Sequence, residues 1–288
     1  MNDEICSMKK RPLSKKIVFF IHHISYIIFH HSYILMPKLY TQLASVYDEI
    51  YQTLFDYDKE YAVYQGFLSK YKAQSILEIG CGTGHLAKRF IANGYNYKGL
   101  DLNQEMLDIA AQNVSKKVKN TEGGHFQKAD MRNFQLPHTF DAALITGRTI
   151  SYLLTNSDIL SCLQSIKRCL KHNGLLIFDA IDAVPLFNAF EKVEKTTLET
   201  TYKQNHYKRN SICKPNLSTG WTWDWSSVYF QKQNNTYIEI GQDFVTLRAF
   251  TKDEMTLLLT MTGFALCSIV DKETYTWQDA FYVAQSID

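Results

Sequence analysis

The 288-residue sequence lacks several patterns that would assign it to a specialised class of protein. No Cys-x-x-Cys pair occurs among its six cysteines, so neither a zinc site nor a disulfide framework is predicted, and a reducing, cytoplasmic setting is favoured. Internal repeats and low-complexity linkers are also missing. The apolar fraction of 45% and the charged fraction of 21% are those of an ordinary globular protein, which excludes a disordered chain.

An excess of positive charge is absent from most of the chain. The net charge is +2, and residues 1–35 alone carry +3, because five basic residues there oppose two acidic ones. Residues 36–288 therefore carry −1. Nucleic-acid binding depends on a basic surface, so no nucleic-acid partner is expected.

Residues 17–35 form an apolar run behind a basic flank. A signal anchor has this arrangement, since about 20 apolar residues span a bilayer. Four histidines interrupt the run, however, and no small-residue cleavage site follows it. We favour an N-terminal extension over residues 1–35, disordered or upstream of a natural start at Met36, with residues 36–288 as one domain. An anchor stays open, whereas a metal site built from the histidines is disfavoured for want of a rigid scaffold.

Strand and helix signals alternate from residue 75 onward. Short apolar runs predict strands at 75–79, 97–102, 126–129, 140–145, 174–179, 265–270 and 280–283. Helical patterns are predicted between them at 85–93, 103–113, 157–170 and 252–262. This alternation predicts an α/β fold, with a doubly wound, Rossmann-like sheet of seven strands whose last strand is antiparallel.

The pattern changes after Asp182. Residues 183–210 are predicted as mixed helix or loop, and antiparallel strands are predicted at 221–230, 237–240 and 244–250. We therefore expect one domain that carries an antiparallel β insertion at about 183–250, after strand five.

Three glycines follow the first strand at a spacing that indicates a nucleotide-like ligand. Gly80, Gly82 and Gly84 lie where the backbone turns tightly at the carboxyl end of the sheet, where such folds bind ligands. A dinucleotide site needs its third glycine one residue later, and Glu78 adds a carboxylate that would repel a pyrophosphate. The same carboxylate suits a cofactor that carries a sulfonium and an ammonium group.

Two further acids follow later strands. Asp101 ends the second strand and can accept both hydroxyls of a ribose, and Asp130 ends the third and can accept a hydrogen bond from an exocyclic amine. Each alone is compatible with a helix cap, but together with Glu78 at successive strand ends they favour a cofactor site. Apolar faces for an adenine ring come from Leu102, Met106 and Met131.

These segments resemble the successive motifs of class I S-adenosylmethionine-dependent methyltransferases, in their small-molecule, amine-methylating branch. The resemblance rests on residues 77–84, 99–102, 129–131, 140–145 and 170–179, and it extends from about residue 40 to the end. It implies that Glu78 and the glycine loop hold the methionine part of S-adenosyl-L-methionine. It also implies that Asp101 binds the ribose and that Asp130, with the Met131 backbone, binds the adenine.

The same resemblance assigns two neighbouring residues. Thr146, at the end of the fourth strand, would lie on the floor near the methyl group. Cys81 would be an ordinary residue of the cofactor-binding loop and not a nucleophile.

The methyl acceptor is specified less strongly than the cofactor. Methyl transfer from a sulfonium is an in-line displacement that needs alignment and desolvation more than acid–base groups. Neither an Asn-Pro-Pro-Tyr type sequence nor a Pro-Cys nucleophile follows strand four. We expect a small-molecule acceptor, an amine nitrogen before an oxygen. The alternatives are a protein or RNA methyltransferase and a non-catalytic S-adenosylmethionine-binding protein, and a homodimer is left open.

Aromatic and basic side chains are the candidates for the acceptor site. The resemblance implies an N-terminal aromatic segment over the cofactor, which makes Tyr40 and Tyr47 lid candidates, with helix packing as the alternative. Tyr47, Arg148 and Tyr152 are the candidates for a catalytic role. Arg148, Tyr152 and Arg248 suit an acidic or hydroxylated substrate, although long side chains of this kind are usually solvated.

Three tryptophans alternate in the insertion. Trp221, Trp223 and Trp225 are therefore predicted to face one side of a strand. One interpretation is an aromatic wall over the acceptor, which would attract an amine that gains positive charge. We favour the other, a hydrophobic face that covers the sheet or a subunit partner.

Overall fold

The computed structural model describes residues 37–116, 124–190, 193–272, 274 and 277–287. The expected N-terminal extension and the candidate anchor at 17–35 lie outside the described residues. The division of the chain at residue 35 therefore stays a prediction. Within the described ranges, no helix combines the length and apolar character needed to cross a membrane.

Eleven strands are present in this part of the chain. They are β1 (Ser75–Ile79), β2 (Asn96–Asp101), β3 (Phe126–Lys128), β4 (Phe140–Ile145), β5 (Leu170–Ile181), β6 (Glu194–Tyr202), β7 (Asn205–Pro215), β8 (Thr222–Gln233), β9 (Thr236–Arg248), β10 (Phe264–Lys272) and β11 (Asp279–Ser286). Seven form one sheet in the order β10-β11-β5-β4-β1-β2-β3. In this sheet β11 runs opposite to the other six strands and pairs antiparallel with both of its neighbours, β5 and β10. The predicted seven-stranded sheet with an antiparallel last strand is thus confirmed.

Helices cover both faces of this sheet. They are α1 (Ala44–Leu54), α2 (Tyr57–Lys70), α3 (Ala87–Ala92), α4 (Gln104–Ser115), α5 (Asn156–Arg168), α6 (Ala183–Ala189) and α7 (Lys252–Met261), and short 3-10 turns lie at Lys38–Tyr40 and Thr149–Tyr152. Leu77 and Ile79 of β1 pack in one core with α5 and α7, whereas Ile76 packs in a second core with α2 and α3. Successive strand residues point to opposite faces, so one strand supplies both cores.

The remaining strands form a second, antiparallel sheet in the order β6-β7-β8-β9. The predicted antiparallel insertion after strand five is therefore confirmed, but the secondary structure predicted for its first part was wrong. Residues 183–210, expected as mixed helix or loop, contain α6, all of β6 and much of β7. The strand β6 lies at the sheet edge with mostly exposed side chains, so its threonines and charges show no apolar alternation.

One strand replaces the two that were predicted at 237–240 and 244–250. The predicted strands left residues 241–243 between them, yet β9 continues through this segment. A side chain at Gly241 would come within 2.9 Å of the Leu43 Cδ1 atom. This glycine therefore permits close packing against the start of α1 and does not mark a turn.

Candidate cofactor and acceptor site

Glu78 lies near the end of β1 and is only 1% exposed. Its Oε1 accepts a hydrogen bond from Thr146 Oγ1 at 2.8 Å, and its Oε2 accepts one from the Tyr97 hydroxyl at 2.5 Å. Burial raises the pKa of Glu78 to about 7, although both hydrogen bonds oppose the rise. Two predicted site residues from different strands, Glu78 and Thr146, are thus in direct contact.

Tyr97 was not predicted to belong to the site. It lies on β2, two residues before Gly99, which is the register partner of Glu78. A side chain at Gly99 would lie 2.8 Å from the Tyr97 hydroxyl oxygen and 2.9 Å from Cys81 Sγ. The missing side chain therefore makes room for Tyr97 beside Glu78, and a glycine inside a strand was the available signal.

The glycine loop turns between β1 and α3 with left-handed backbone angles. Gly84 has φ +75°, and a side chain there would lie 2.8 Å from the Ala110 Cβ atom of α4. The backbone N–H groups of Gly80 and Cys81 both donate to the Leu100 carbonyl oxygen, at 2.8 and 3.0 Å. Burial raises the pKa of the Cys81 thiol well above its ordinary value, so the thiol stays protonated.

Asp101 ties this loop to the start of α4. Its Oδ2 accepts a hydrogen bond from the Gly82 N–H at 3.0 Å, and its Oδ1 accepts one from the Asn103 N–H at 2.9 Å. Burial raises the pKa of Asp101. A carboxylate has about four lone-pair sites, so both oxygens keep acceptor capacity for ligand hydroxyls.

Asp130 is placed differently from the prediction. The strand β3 ends at Lys128, and Asp130 lies two residues beyond it in a turn. Its Oδ2 accepts from Arg132 Nη2 at 2.6 Å, and its Oδ1 accepts from the Arg132 backbone N–H at 2.9 Å. Arg132 thereby holds the pKa of Asp130 below its ordinary value. The adenine role of Asp130 stays a prediction, with a neighbouring guanidinium that the sequence pattern had not indicated.

The three residues predicted to flank the adenine lie around these acids. Met106 is buried beneath the loop, and its Cε atom would lie 3.6 Å from a side chain at Gly82. Leu102 and Met131 are half-buried, and Met131 packs against the larger core.

The predicted N-terminal lid tyrosines meet the segment that follows β4. The hydroxyls of Tyr40 and Tyr152 are hydrogen-bonded to each other. The Tyr40 ring lies edge-on to Tyr47 and Tyr152, with centroid distances of 5.3 and 5.7 Å. Burial raises the pKa of Tyr40 well above its ordinary value, so this side chain is a neutral phenol. Three predicted site residues from separate segments are therefore together.

Asp48, the residue after Tyr47, fastens α1 to the glycine loop. Its Oδ1 accepts a hydrogen bond from His85 Nε2 at 2.7 Å and a longer one from Asn113 Nδ2 at 3.3 Å. Burial opposes ionisation, yet hydrogen bonds from His85 and Thr83 hold the pKa of Asp48 below its ordinary value. His85 and Asn113 were not predicted as site residues, because neither belongs to a motif.

Arg148 turns inward and is not solvated. It has a left-handed backbone with φ +64°, and its N–H donates to Asp179 Oδ2 at 3.2 Å. Its Nε donates to Asp279 Oδ2 at 2.6 Å, and its guanidinium lies 5.2 Å from the centroid of Trp277. Arg148 thus joins the end of β4 to the start of β11.

A buried ionic group surrounds this arginine. Lys272 Nζ lies 3.1 Å from Asp179 Oδ2 and 2.8 Å from Glu60 Oε1. Burial raises the pKa of Asp279 to about 6, against the effect of Arg148. None of these four residues was predicted, although Asp179 lies on β5 near the edge of the sheet where ligands bind.

The three alternating tryptophans differ in burial. Trp221 precedes β8 and is 38% exposed, whereas Trp223 is fully buried and packs with α6. Trp225 is half-buried beside the same cluster. Packing, the interpretation we favoured, accounts for Trp223. Arg248 is also buried, donating to the Leu154 carbonyl and pairing with Glu254, so it is not a solvated side chain.

Comparison with known proteins assigns the glycine-loop half of this arrangement. Residues 76–174 match a family model described as a methyltransferase domain. The chain contains a methyltransferase domain. Proteins of the same fold, some solved with S-adenosylmethionine bound, belong to the class I S-adenosylmethionine-dependent methyltransferases, and S-adenosylmethionine is the cofactor of that class.

Three similar proteins illustrate the relationship. The chain is 32% identical over 148 residues to YqeM of Bacillus subtilis (strain 168), a protein named as a methyltransferase. This match covers 51% of this chain and 57% of that protein. A dTDP-4-amino-2,3,4,6-tetradeoxy-D-glucose N,N-dimethyltransferase of Saccharopolyspora spinosa is 29% identical over 108 residues. This match covers 38% of this chain and 41% of that protein. The structure of CalS10, an amino pentose methyltransferase from Micromonospora echinaspora, superposes with a TM-score of 0.69 at 19% identity, over 84% of this chain and 97% of that one. The chain spans about half the length of the curated relatives it matches.

Proposed function

We propose that this protein transfers a methyl group from S-adenosyl-L-methionine to a nitrogen of a small-molecule amine. The observation that carries the proposal is the pair of buried carboxylates at the ends of β1 and β2. Glu78 and Asp101 flank a glycine loop within a methyltransferase domain, and both keep acceptor capacity.

The residues at this edge fit the cofactor. A buried carboxylate at Glu78 is costly without a positive partner, and the cofactor carries an ammonium and a sulfonium group. Asp101 has lone pairs left on both oxygens for ribose hydroxyls. A side chain at Gly80 or Gly84 would strike Thr149 or Ala110, so these left-handed glycines allow the tight turn of the loop at the edge where the cofactor would bind. Leu102, Met106 and Met131 supply the apolar surroundings for an adenine, with Asp130 and Cys81 nearby.

The chemistry requires alignment and exclusion of water. S-adenosyl-L-methionine would supply a methyl group on a positively charged sulfur. An uncharged acceptor nitrogen would form a bond to the methyl carbon as the carbon–sulfur bond breaks, S-adenosylhomocysteine would leave, and the methylated nitrogen would release its extra proton to solvent. Tyr40, Tyr47 and Tyr152 close the side of the site next to Thr146, where they exclude water and orient the acceptor through their hydroxyls. Arg148 fixes the turn that follows Thr146 through its contacts with two aspartates.

An amine acceptor is supported by chemistry and by similarity. Aromatic rings and carboxylates line the region beyond β4, and both attract a nitrogen that gains positive charge. The Saccharopolyspora relative is named as an amino-sugar N,N-dimethyltransferase and CalS10 as an amino pentose methyltransferase. Residues 36–288 carry −1, which disfavours a polyanionic acceptor such as RNA.

A methyl-transfer screen tests this function. The protein is incubated with S-adenosylmethionine and, separately, with amines, carboxylic acids, phenols, tRNA and peptides, and release of S-adenosylhomocysteine is measured. We expect turnover with amines and none with the Asp101→Ala variant. Activity confined to tRNA or peptides would overturn the acceptor class. Cofactor binding without turnover of any acceptor would support a non-catalytic binding protein.

A further inference from the structure

Trp277 lies at the centre of a group of side chains that joins the two sheets. Its ring centroid is 5.4 Å from that of Trp223 and 5.5 Å from that of Trp225, with the rings nearly perpendicular. The guanidinium of Arg148 lies 5.2 Å from the Trp277 centroid and bonds to Asp279. We call these five residues the Trp277 cluster.

Polar atoms in the Trp277 cluster lack partners within the described part of the chain. Asp279 Oδ1 is buried and accepts no hydrogen bond there, and the indole nitrogens of Trp223 and Trp225 are buried and donate none. Folded proteins rarely leave such groups unsatisfied, so these three atoms call for a partner such as a water, an ion or a ligand. Trp225 and Trp277 are half-buried, so parts of their rings form a rim open to solvent, while the indole nitrogen of Trp225 and Asp279 Oδ1 lie buried behind it.

The charge around Asp279 selects the kind of ligand. Three carboxylates, Glu60, Asp179 and Asp279, meet two cations, Arg148 and Lys272. One negative charge is therefore in excess when all five groups are ionised. A cationic amino group would neutralise this excess, whereas an acidic ligand would add to it. Indole rings at the rim attract a cation and also pack against the face of a saturated ring.

We propose that the Trp277 cluster binds an acceptor that carries both an amino group and hydroxyl groups on a ring. Asp279 Oδ1 accepts a hydrogen bond from the amino group, and the Trp225 indole N–H donates to a hydroxyl oxygen. This assignment rests on the proposed function, which it narrows to hydroxylated cyclic amines. Acidic acceptors and phenols are excluded, since neither offers a cation to Asp279.

Binding to the S-adenosylhomocysteine-loaded full chain tests the two contacts separately. Calorimetric titrations use D-glucosamine, which has both groups, cyclohexylamine, which has only the amine, and D-glucose, which has only hydroxyls. We expect D-glucosamine to bind most tightly. The Asp279→Asn variant should bind D-glucosamine and cyclohexylamine at least about tenfold more weakly and D-glucose with unchanged affinity. The Trp225→Phe variant should bind D-glucosamine and D-glucose more weakly and cyclohexylamine with unchanged affinity.

Glu254→Gln is the matched control. Glu254 also pairs with a buried arginine, Arg248, at 2.5 Å, so the substitution removes the same kind of charge away from Trp277. It should alter none of the three affinities. Thermal melting and S-adenosylhomocysteine affinity establish that each variant is folded. If Asp279→Asn does not fold, the selective loss of affinity for D-glucosamine and D-glucose in Trp225→Phe still tests the hydroxyl contact. The Asp279→Glu variant keeps the charge and should still bind amines more tightly than D-glucose.

The outcomes separate this inference from the proposed function. Amine binding that is unchanged in Asp279→Asn, or no binding of any probe to the wild-type chain, contradicts the inference. Methyl transfer to an acceptor that binds equally well to the wild type and to Asp279→Asn would support the proposed function and contradict this subsite. Amine binding that depends on Asp279, without methyl transfer, would retain the subsite and reject the function.

Discussion

Single residues in the site carry measurable energetic signatures, and Glu78 has the clearest one. Its pKa rises from an ordinary 4.5 to about 7 because the side chain is buried. Between these pH values the folded chain holds a proton that the unfolded chain has lost, so stability falls as the pH rises through this window. Above about pH 7 the charged carboxylate lowers the free energy of unfolding by the full amount, which is at most about 3 kcal/mol for this shift.

Glu78→Gln should therefore stabilise the cofactor-free protein increasingly as the pH rises. We expect the difference in unfolding free energy between variant and wild type to grow from pH 4.5 to 7 and then level off. Urea unfolding at pH 5, 6, 7 and 8 measures it. A difference that does not change with pH would show that Glu78 is not the group that titrates.

Gly84 tests whether the loop needs glycine for space as well as for backbone angle. Gly84 and Gly94 have similar left-handed angles, φ +75° and +84°, but only Gly84 has a neighbour that a side chain would strike, Ala110. Gly94→Ala should cost about 1 kcal/mol from backbone strain. Gly84→Ala should cost roughly 1–3 kcal/mol more. Equal melting temperatures in the two variants would contradict the close approach of α4.

At the scale of elements, the contact of α1 with the glycine loop organises one side of the site. Asp48 holds His85 and Asn113, whereas the nearby Asp58 pairs with Arg89 at 2.6 Å but is largely exposed. Asp48→Ala should lower the free energy of unfolding by roughly 1–3 kcal/mol. Asp58→Ala should cost less than about 0.5 kcal/mol, because exposed ion pairs contribute little.

Chemical unfolding of both variants measures the difference, and hydrogen exchange of α1 locates it. Faster exchange in α1 for Asp48→Ala but not for Asp58→Ala is the expected pattern. If the two variants lose the same stability, the Asp48–His85 pair does not fasten the helix.

Over the whole molecule, the elements with strong apolar runs could be predicted from sequence. β1 and β4 are buried along almost their full length, so their runs of apolar residues identified them. β6 could not be predicted, because an edge strand with exposed threonines resembles a loop. The continuity of β9 through Gly241 could not be predicted either, since one glycine suits both a turn and a close contact.

The candidate site divides in the same way. Glu78 and Asp101 lie at the carboxyl ends of β1 and β2, so their position in sequence indicated their position in space. The ionic group of Glu60, Lys272 and Asp279 could not be found, because its members come from α2, β10 and β11 and meet only in the folded chain. Such contacts between distant segments leave no local spacing in the sequence.

Titration calorimetry with S-adenosyl-L-methionine tests the central claim most directly. The wild-type protein should bind one equivalent, and Asp101→Ala should weaken binding by at least about tenfold, or about 1.4 kcal/mol. Asp108→Ala, an exposed aspartate on α4, is the matched control and should bind like the wild type. No binding to the wild type, or equal binding to the wild type and Asp101→Ala, would contradict the claim.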